Sequence, residues 1–163
     1  MSKEIEDITF HYTNEEMVKD LIRFVPFKEA DTVLDAGSGK NKVWYNNLPE
    51  NVCKYECELE DGIDFLTQWH MNVDWVVGNP PFHLGWKFTE KAFKTANKGV
   101  AFLLNNAGLN STFTPKRMQE TEEMGWYLQH IRVVADKRWF GRYYFLIFTR
   151  EPNKFMSCHR KTY

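Results

Sequence analysis

Apolar residues along this chain switch between the spacing of helices and the short continuous runs of buried strands. Met17, Val18, Leu21, Ile22 and Phe24 share one face of a helix predicted over residues 14–24. Thr13 or Asn14 can cap it, Glu15 and Glu16 lie in its first turn, and Pro26 ends it. Thr32–Ala36 is a short apolar strand running into Gly37-Ser38-Gly39. Lys42–Asn47 predicts a short helix stopped before Pro49, Val52–Glu58 a second strand and Val73–Gly78 a third, whereas Ile63–Trp69 fits neither period. Trp86–Asn97 predicts a helix with Phe88, Ala92, Phe93 and Ala96 on one face and Gly99 as its stop. Val100–Leu104 is a buried strand, and Ser111 or Thr114 can cap a helix reaching Met124. Tyr127–Val134 and Tyr143–Thr149 are the last strands, expected to pair antiparallel across a short loop. Strands alternating with helices predict an α/β fold with a mainly parallel sheet.

Composition narrows this little. The 163 residues suit one domain, 1–163, long enough to bury a core without staples. The net charge is −1, but it is unevenly spread: +6 from Arg132 onward and −7 before it. A basic C-terminal part on an acidic body fits either a polyanion contact or a solvated tail. Cys53, Cys57 and Cys158 are too few for a disulfide framework, and Cys53 and Cys57 lack the second pair of a zinc site and read as core thiols, with no metal expected. No apolar run is long enough to span a membrane, and the acidic N-terminus is no signal peptide; the expectation is a cytoplasmic protein.

The candidate chemistry lies where strands end. Asp35-Ala36-Gly37-Ser38-Gly39 follows a strand, where glycines let the backbone approach a ligand. It is no phosphate-binding P-loop: Leu34 and Asn41 stand where that motif needs Gly and Ser or Thr. Glu58, about 20 residues on, is placed to take ribose hydroxyls with its forked oxygens, and Glu56 and Glu60 compete for that role. Asn79-Pro80-Pro81-Phe82 closes the third strand. Two prolines fix φ and supply no N–H, so they hold an amide and an aromatic ring on a rigid loop.

In this order and spacing, residues 11–149 resemble the amino-methyltransferase branch of the class I, Rossmann-like S-adenosylmethionine-dependent enzymes. They are most similar to small phage- or virus-type adenine-specific DNA methyltransferases with an Asn-Pro-Pro-Phe motif. The resemblance implies a mostly parallel seven-stranded sheet with helices on both faces and an antiparallel last strand. It implies S-adenosylmethionine as cofactor, contacted by Tyr12, Thr13, Asp35, Gly37, Ser38, Gly39, Glu58, Asp64, Phe65 and Asn79. Asp64 and Phe65 match the pair that holds the cofactor's adenine. Only five residues separate Glu58 from Asp64, where relatives fit a helix, and Asp61 is a rival for that role. Asn79, Pro80, Pro81 and Phe82 match the catalytic motif.

The implied reaction is methyl transfer to the 6-amino group of adenine in DNA, with the base flipped from the duplex. RNA bases are the first alternative substrate and an inactive cofactor-binding partner or scaffold the second. Over these 163 residues no separate target-recognition domain is expected. Lys137, Arg138, Trp139, Phe140 and Arg142 form a basic aromatic loop suited to phosphates or an unstacked base, although Trp139 and Phe140 could equally pack on the sheet. A homodimer would offer a second way to enlarge the nucleic-acid surface.

Overall fold

The computed structural model describes residues 13–138 and 141–153. Tyr12, Trp139, Phe140 and the basic residues beyond 153 lie outside that range.

The first helix, α1 (Glu15–Ile22), is capped by Asn14, whose side chain accepts the N–H groups of Glu16 and Met17 at 2.9 and 3.3 Å. Then follow β1 (Thr32–Ala36), α2 (Val43–Asn47), β2 (Cys53–Cys57), β3 (Val73–Gly78), α3 (Gly85–Thr95), β4 (Ala96–Asn105), α4 (Asn106–Thr112), α5 (Pro115–Glu123), β5 (Tyr127–Val134) and β6 (Tyr143–Thr149). The strands form one sheet in the order β2-β1-β3-β4-β6-β5. Only β6 runs against its neighbours, pairing antiparallel with both β4 and β5.

Alternating side chains give the sheet two apolar faces. On one, Val18, Leu21 and Trp44 of the first two helices cover Val33, Val77 and Phe145. On the other, Phe88 and Phe93 of α3 and Met118 of α5 cover Leu34, Val76, Phe102 and Phe148. Helices thus lie on both faces, as parallel strands require.

Three expectations are corrected. The described residues contain six strands, not seven. Residues 58–72 make a single-turn helix at Leu59–Asp61 and further turns, too short a stretch for a helix, a strand and their connections. The helix starting at Gly85 ends at Thr95 rather than Asn97, and Gly99 lies inside β4 instead of stopping a helix. Gly99 is paired with Trp75 of β3, and a Cβ there would fall 2.0 Å from the indole Cζ3. That glycine makes room for a ring. Finally, α4 precedes the helix capped by Thr114. Asn105 starts α4 by accepting the Gly108 N–H at 2.9 Å, where the sequence pattern assigns no element.

Gly99→Ala must displace the buried Trp75 ring, so it should lower the unfolding free energy by about 2 kcal/mol in urea denaturation. A change under roughly 0.5 kcal/mol, the range of an innocuous surface substitution, would contradict this packing.

Candidate active site

The carboxyl ends of the parallel strands meet at one edge of the sheet. There β1 delivers Gly37–Gly39, β2 delivers Glu58 and β3 delivers Asn79–Phe82. The same edge receives the loop between β5 and β6, because Tyr143 opens β6 opposite Asn105 and Val134. In open α/β sheets this edge is where ligands bind.

A cavity of about 460 Å³ lies there, mainly apolar, and of a size typical of small-molecule sites. Gly37, Gly39, Glu58, Asp64, Phe65 and all four residues of Asn79–Phe82 line it. Leu59, Ile63, His83, Leu84 and Phe88 line it too, and the sequence reading had not assigned them. Leu59 is 68% exposed and lines the cavity. Phe65 is buried and packs on Phe88 with centroids 5.2 Å apart, forming the cavity floor. Among the described residues the lining holds two carboxylates, Glu58 and Asp64, with His83 but no Lys or Arg, so its field leans negative.

Glu58 accepts the Gly39 N–H at 2.6 Å, tying the end of β2 to the glycine turn. Gly37 and Gly39 hold φ of 71° and 68°, which a side chain would strain. Asp64 starts a turn, its Oδ1 accepting the Leu66 N–H at 2.9 Å and its Oδ2 the Thr67 hydroxyl at 2.8 Å, and it lines the cavity. Its rival Asp61 does not line the cavity and faces Lys42 Nζ at 3.4 Å.

Asn79 is held by its own side chain: Nδ2 donates to Thr13 Oγ1 at 3.1 Å. That bond directs Oδ1 the other way, and Oδ1 is buried without a hydrogen-bond partner among the described residues. An orphaned acceptor of this kind costs stability and is kept where a ligand can satisfy it. Leu84 N–H bonds the Pro81 carbonyl at 2.8 Å and closes the loop, while Phe82 packs against Tyr143 at 6.5 Å. Behind the loop a smaller cavity of about 80 Å³ touches Thr13, Gly37–Gly39, Trp44 and Asn79.

Other assigned residues sit elsewhere. Asp35 is fully buried beneath the turn and lines neither cavity; its Oδ2 accepts the Tyr45 N–H at 3.0 Å, anchoring α2. Ser38 turns its hydroxyl to Glu56 at 2.7 Å, so only the rest of the residue reaches the smaller cavity. Arg138, Lys137 and Arg142 are all exposed, and Arg138 is held by Asp136, with Nη2 and Oδ2 2.6 Å apart. Of the cysteines, Cys57 is buried, and burial pushes its thiol up to about 11, while Cys53 is exposed rather than in the core. Among the described residues no cluster of His, Cys, Asp or Glu could hold a metal ion. None of their helices is long and apolar enough to cross a membrane.

Burial pushes the Asp35 carboxyl up to about 7, against the pull of the Tyr45 N–H, and the charges of Glu56 and Glu58 push it the same way. The folded state therefore holds a proton that the unfolded chain releases near the usual carboxylate range. Stability should fall as pH rises from about 4 to 7, by roughly 2–4 kcal/mol. Asp35→Asn should flatten that slope in denaturation curves across pH. An unchanged slope in the variant would assign the pH dependence to other groups.

No family model matches the sequence, and no curated protein matches it. Solved structures do resemble it. TrmN from Thermus thermophilus superposes with a TM-score of 0.63 at 19% identity over 91% of this chain, which spans 52% of that one. Magnesium protoporphyrin IX methyltransferase (ChlM) from Synechocystis, a structure with bound S-adenosylmethionine, matches at 0.62 and 10% identity over 84% of this chain and 79% of its own. A type I restriction-modification methyltransferase subunit from Streptococcus thermophilus matches at 0.63 and 15%, over 86% of this chain and 44% of its own. The chain thus spans about half the length of two of these three, and it has the Rossmann-like fold that they share.

Proposed function

We propose that this protein is an S-adenosylmethionine-dependent methyltransferase acting on the exocyclic 6-amino group of adenine in DNA. The observation that carries the reading is the buried Oδ1 of Asn79, unpartnered among the described residues, on the Asn79–Phe82 loop that lines the larger cavity.

The cavity suits this cofactor. Among the described residues it is lined by two carboxylates, Glu58 and Asp64, and by no Lys or Arg, which favours a ligand bearing a sulfonium and an ammonium over a di- or triphosphate. Glu58 would accept the ribose hydroxyls, Asp64 the adenine amino group, and Phe65 with Phe88 would pack on the ring. The glycine turn, Thr13 and the face of Trp44 would enclose the amino-acid end. Bound there, the cofactor supplies an electrophilic methyl group.

The residues of the loop handle the nucleophile. An adenine amino nitrogen is weak because its lone pair is delocalised into the ring. Asn79 Oδ1 and the Pro80 carbonyl would each accept one amino hydrogen, which favours the tetrahedral nitrogen of the transition state. Phe82, half-buried and steadied by Tyr143, would stack on the base. Thr13 accepts from the amide nitrogen, which would leave the amide oxygen for the substrate. A neutral amide suffices because the proton can leave after the methyl group arrives. Lys137 and Arg142 on the adjoining loop would contact phosphates, with Arg138 holding the loop through Asp136.

The test is methyl transfer from tritiated S-adenosylmethionine to unmethylated duplex DNA and, in parallel, to total RNA. Label should appear in DNA adenine, and Asn79→Ala should lower the rate by about 100-fold or more while cofactor binding persists. Label in RNA alone would change the substrate, and no label in either despite cofactor binding would favour a scaffold.

A further inference from the structure

The edge of the sheet at β2 is open. This strand has one neighbour, β1, and lies at the end of the strand order. Its hydrogen bonds show which residues face that neighbour. Cys53 N–H donates to the Asp31 carbonyl at 2.8 Å, and the Cys57 carbonyl accepts Gly37 and Ser38 N–H at 3.0 and 3.1 Å. Alternation along the strand then turns the N–H and C=O of Lys54 and Glu56 outward. Among the described residues nothing pairs with them. An open edge with two outward pairs is a template for another strand.

Apolar surface flanks that edge. Tyr55 is 37% exposed and Met71 44% exposed, and Trp69 packs edge-on against Tyr55 at 6.3 Å. Lys54 enters no ion pair among the described residues, while Glu56 already holds Lys42 at 2.6 Å on the same face of the sheet.

We infer that β2 pairs antiparallel with β2 of a second copy of this chain, about a two-fold axis at Tyr55. The charges select this register. Centred on Tyr55, the pairing sets Lys54 opposite Glu56 of the other copy and Glu56 opposite its Lys54. Each of these pairs exchanges two backbone hydrogen bonds, and the two Tyr55 rings meet in the closer, non-hydrogen-bonded position. A shift of one step either way sets Lys54 opposite Lys54, or Glu56 opposite Glu56, and is repelled. The result is a continuous twelve-strand sheet, twice the six strands of one copy. Because the two strands run oppositely, the two cavities open at opposite ends of that sheet. Dimerisation therefore leaves both cavities free and is independent of the reaction proposed above.

Sedimentation velocity from roughly 10 to 300 μM, the range a small interface demands, tests the pairing. The expected result is a monomer–dimer equilibrium that Lys54→Glu weakens about tenfold or more, since both cross-strand pairs become repulsive. Far-UV circular dichroism of the variant should match the parent, as Lys54 touches no core. Hydrogen exchange supplies the second readout: the amides of Lys54 and Glu56 should become protected as concentration rises. A monomer at every concentration would overturn the pairing. So would a dimer that Lys54→Glu leaves intact, or one whose Lys54 and Glu56 amides stay unprotected; those results would place the contact on another surface.

Discussion

The site depends on a close approach between the ends of two adjacent strands. Gly78, the last residue of β3, has φ of 143°, and a Cβ on it would fall 2.9 Å from the Ala36 carbonyl and 3.2 Å from Asp35 Oδ1. Only glycine lets the two chains leave the sheet side by side. From that point one chain becomes the glycine turn and the other becomes Asn79–Phe82. Bring any side chain between them and the Asn79 amide moves away from the cavity that Gly37 and Gly39 help to line.

The second constraint is electrostatic. Asp35, Glu56 and Glu58 crowd the ends of β1 and β2, with Lys42 as the compensating cation. Burial raises Asp35 until it sits near neutrality, while Lys42 and Ser38 hold Glu56 ionised below the usual range despite its own burial. The strand ends thus carry a negative field without a fully charged, fully buried carboxylate, whose desolvation would be severe. That field supports a cationic ligand in the adjoining cavity.

Much of this was legible in the sequence because it rests on local rules. Tyr143–Thr149 announces itself by an unbroken apolar and β-branched run and Tyr127–Val134 by aromatic and β-branched residues interleaved with polar ones, and β6 and β5 have those bounds. Asn14 and Thr114 cap as their chemistry suggests. What stayed hidden is set by tertiary contact. Gly99 reads as a helix stop, since nothing local reveals the Trp75 ring beside it. An aspartate at a strand end can face a ligand or lie beneath the turn; the pairing of Asp35 with Tyr45 decides, and periodicity carries no sign of it. Leu59 and Ile63 look like stray apolar residues in a polar loop until the loop folds over the cavity. Arg138 reads as a free cation although Asp136, two residues earlier, clamps it.

The central claim is that the cavity at the carboxyl edge accepts a cationic nucleoside without a polyphosphate, held by Glu58. Calorimetric titration of the protein with S-adenosylmethionine and, separately, with ATP addresses it directly. The account predicts saturable binding of S-adenosylmethionine, lost when Glu58 is replaced by Ala, and no measurable binding of ATP. Binding of ATP with no response to S-adenosylmethionine would contradict it.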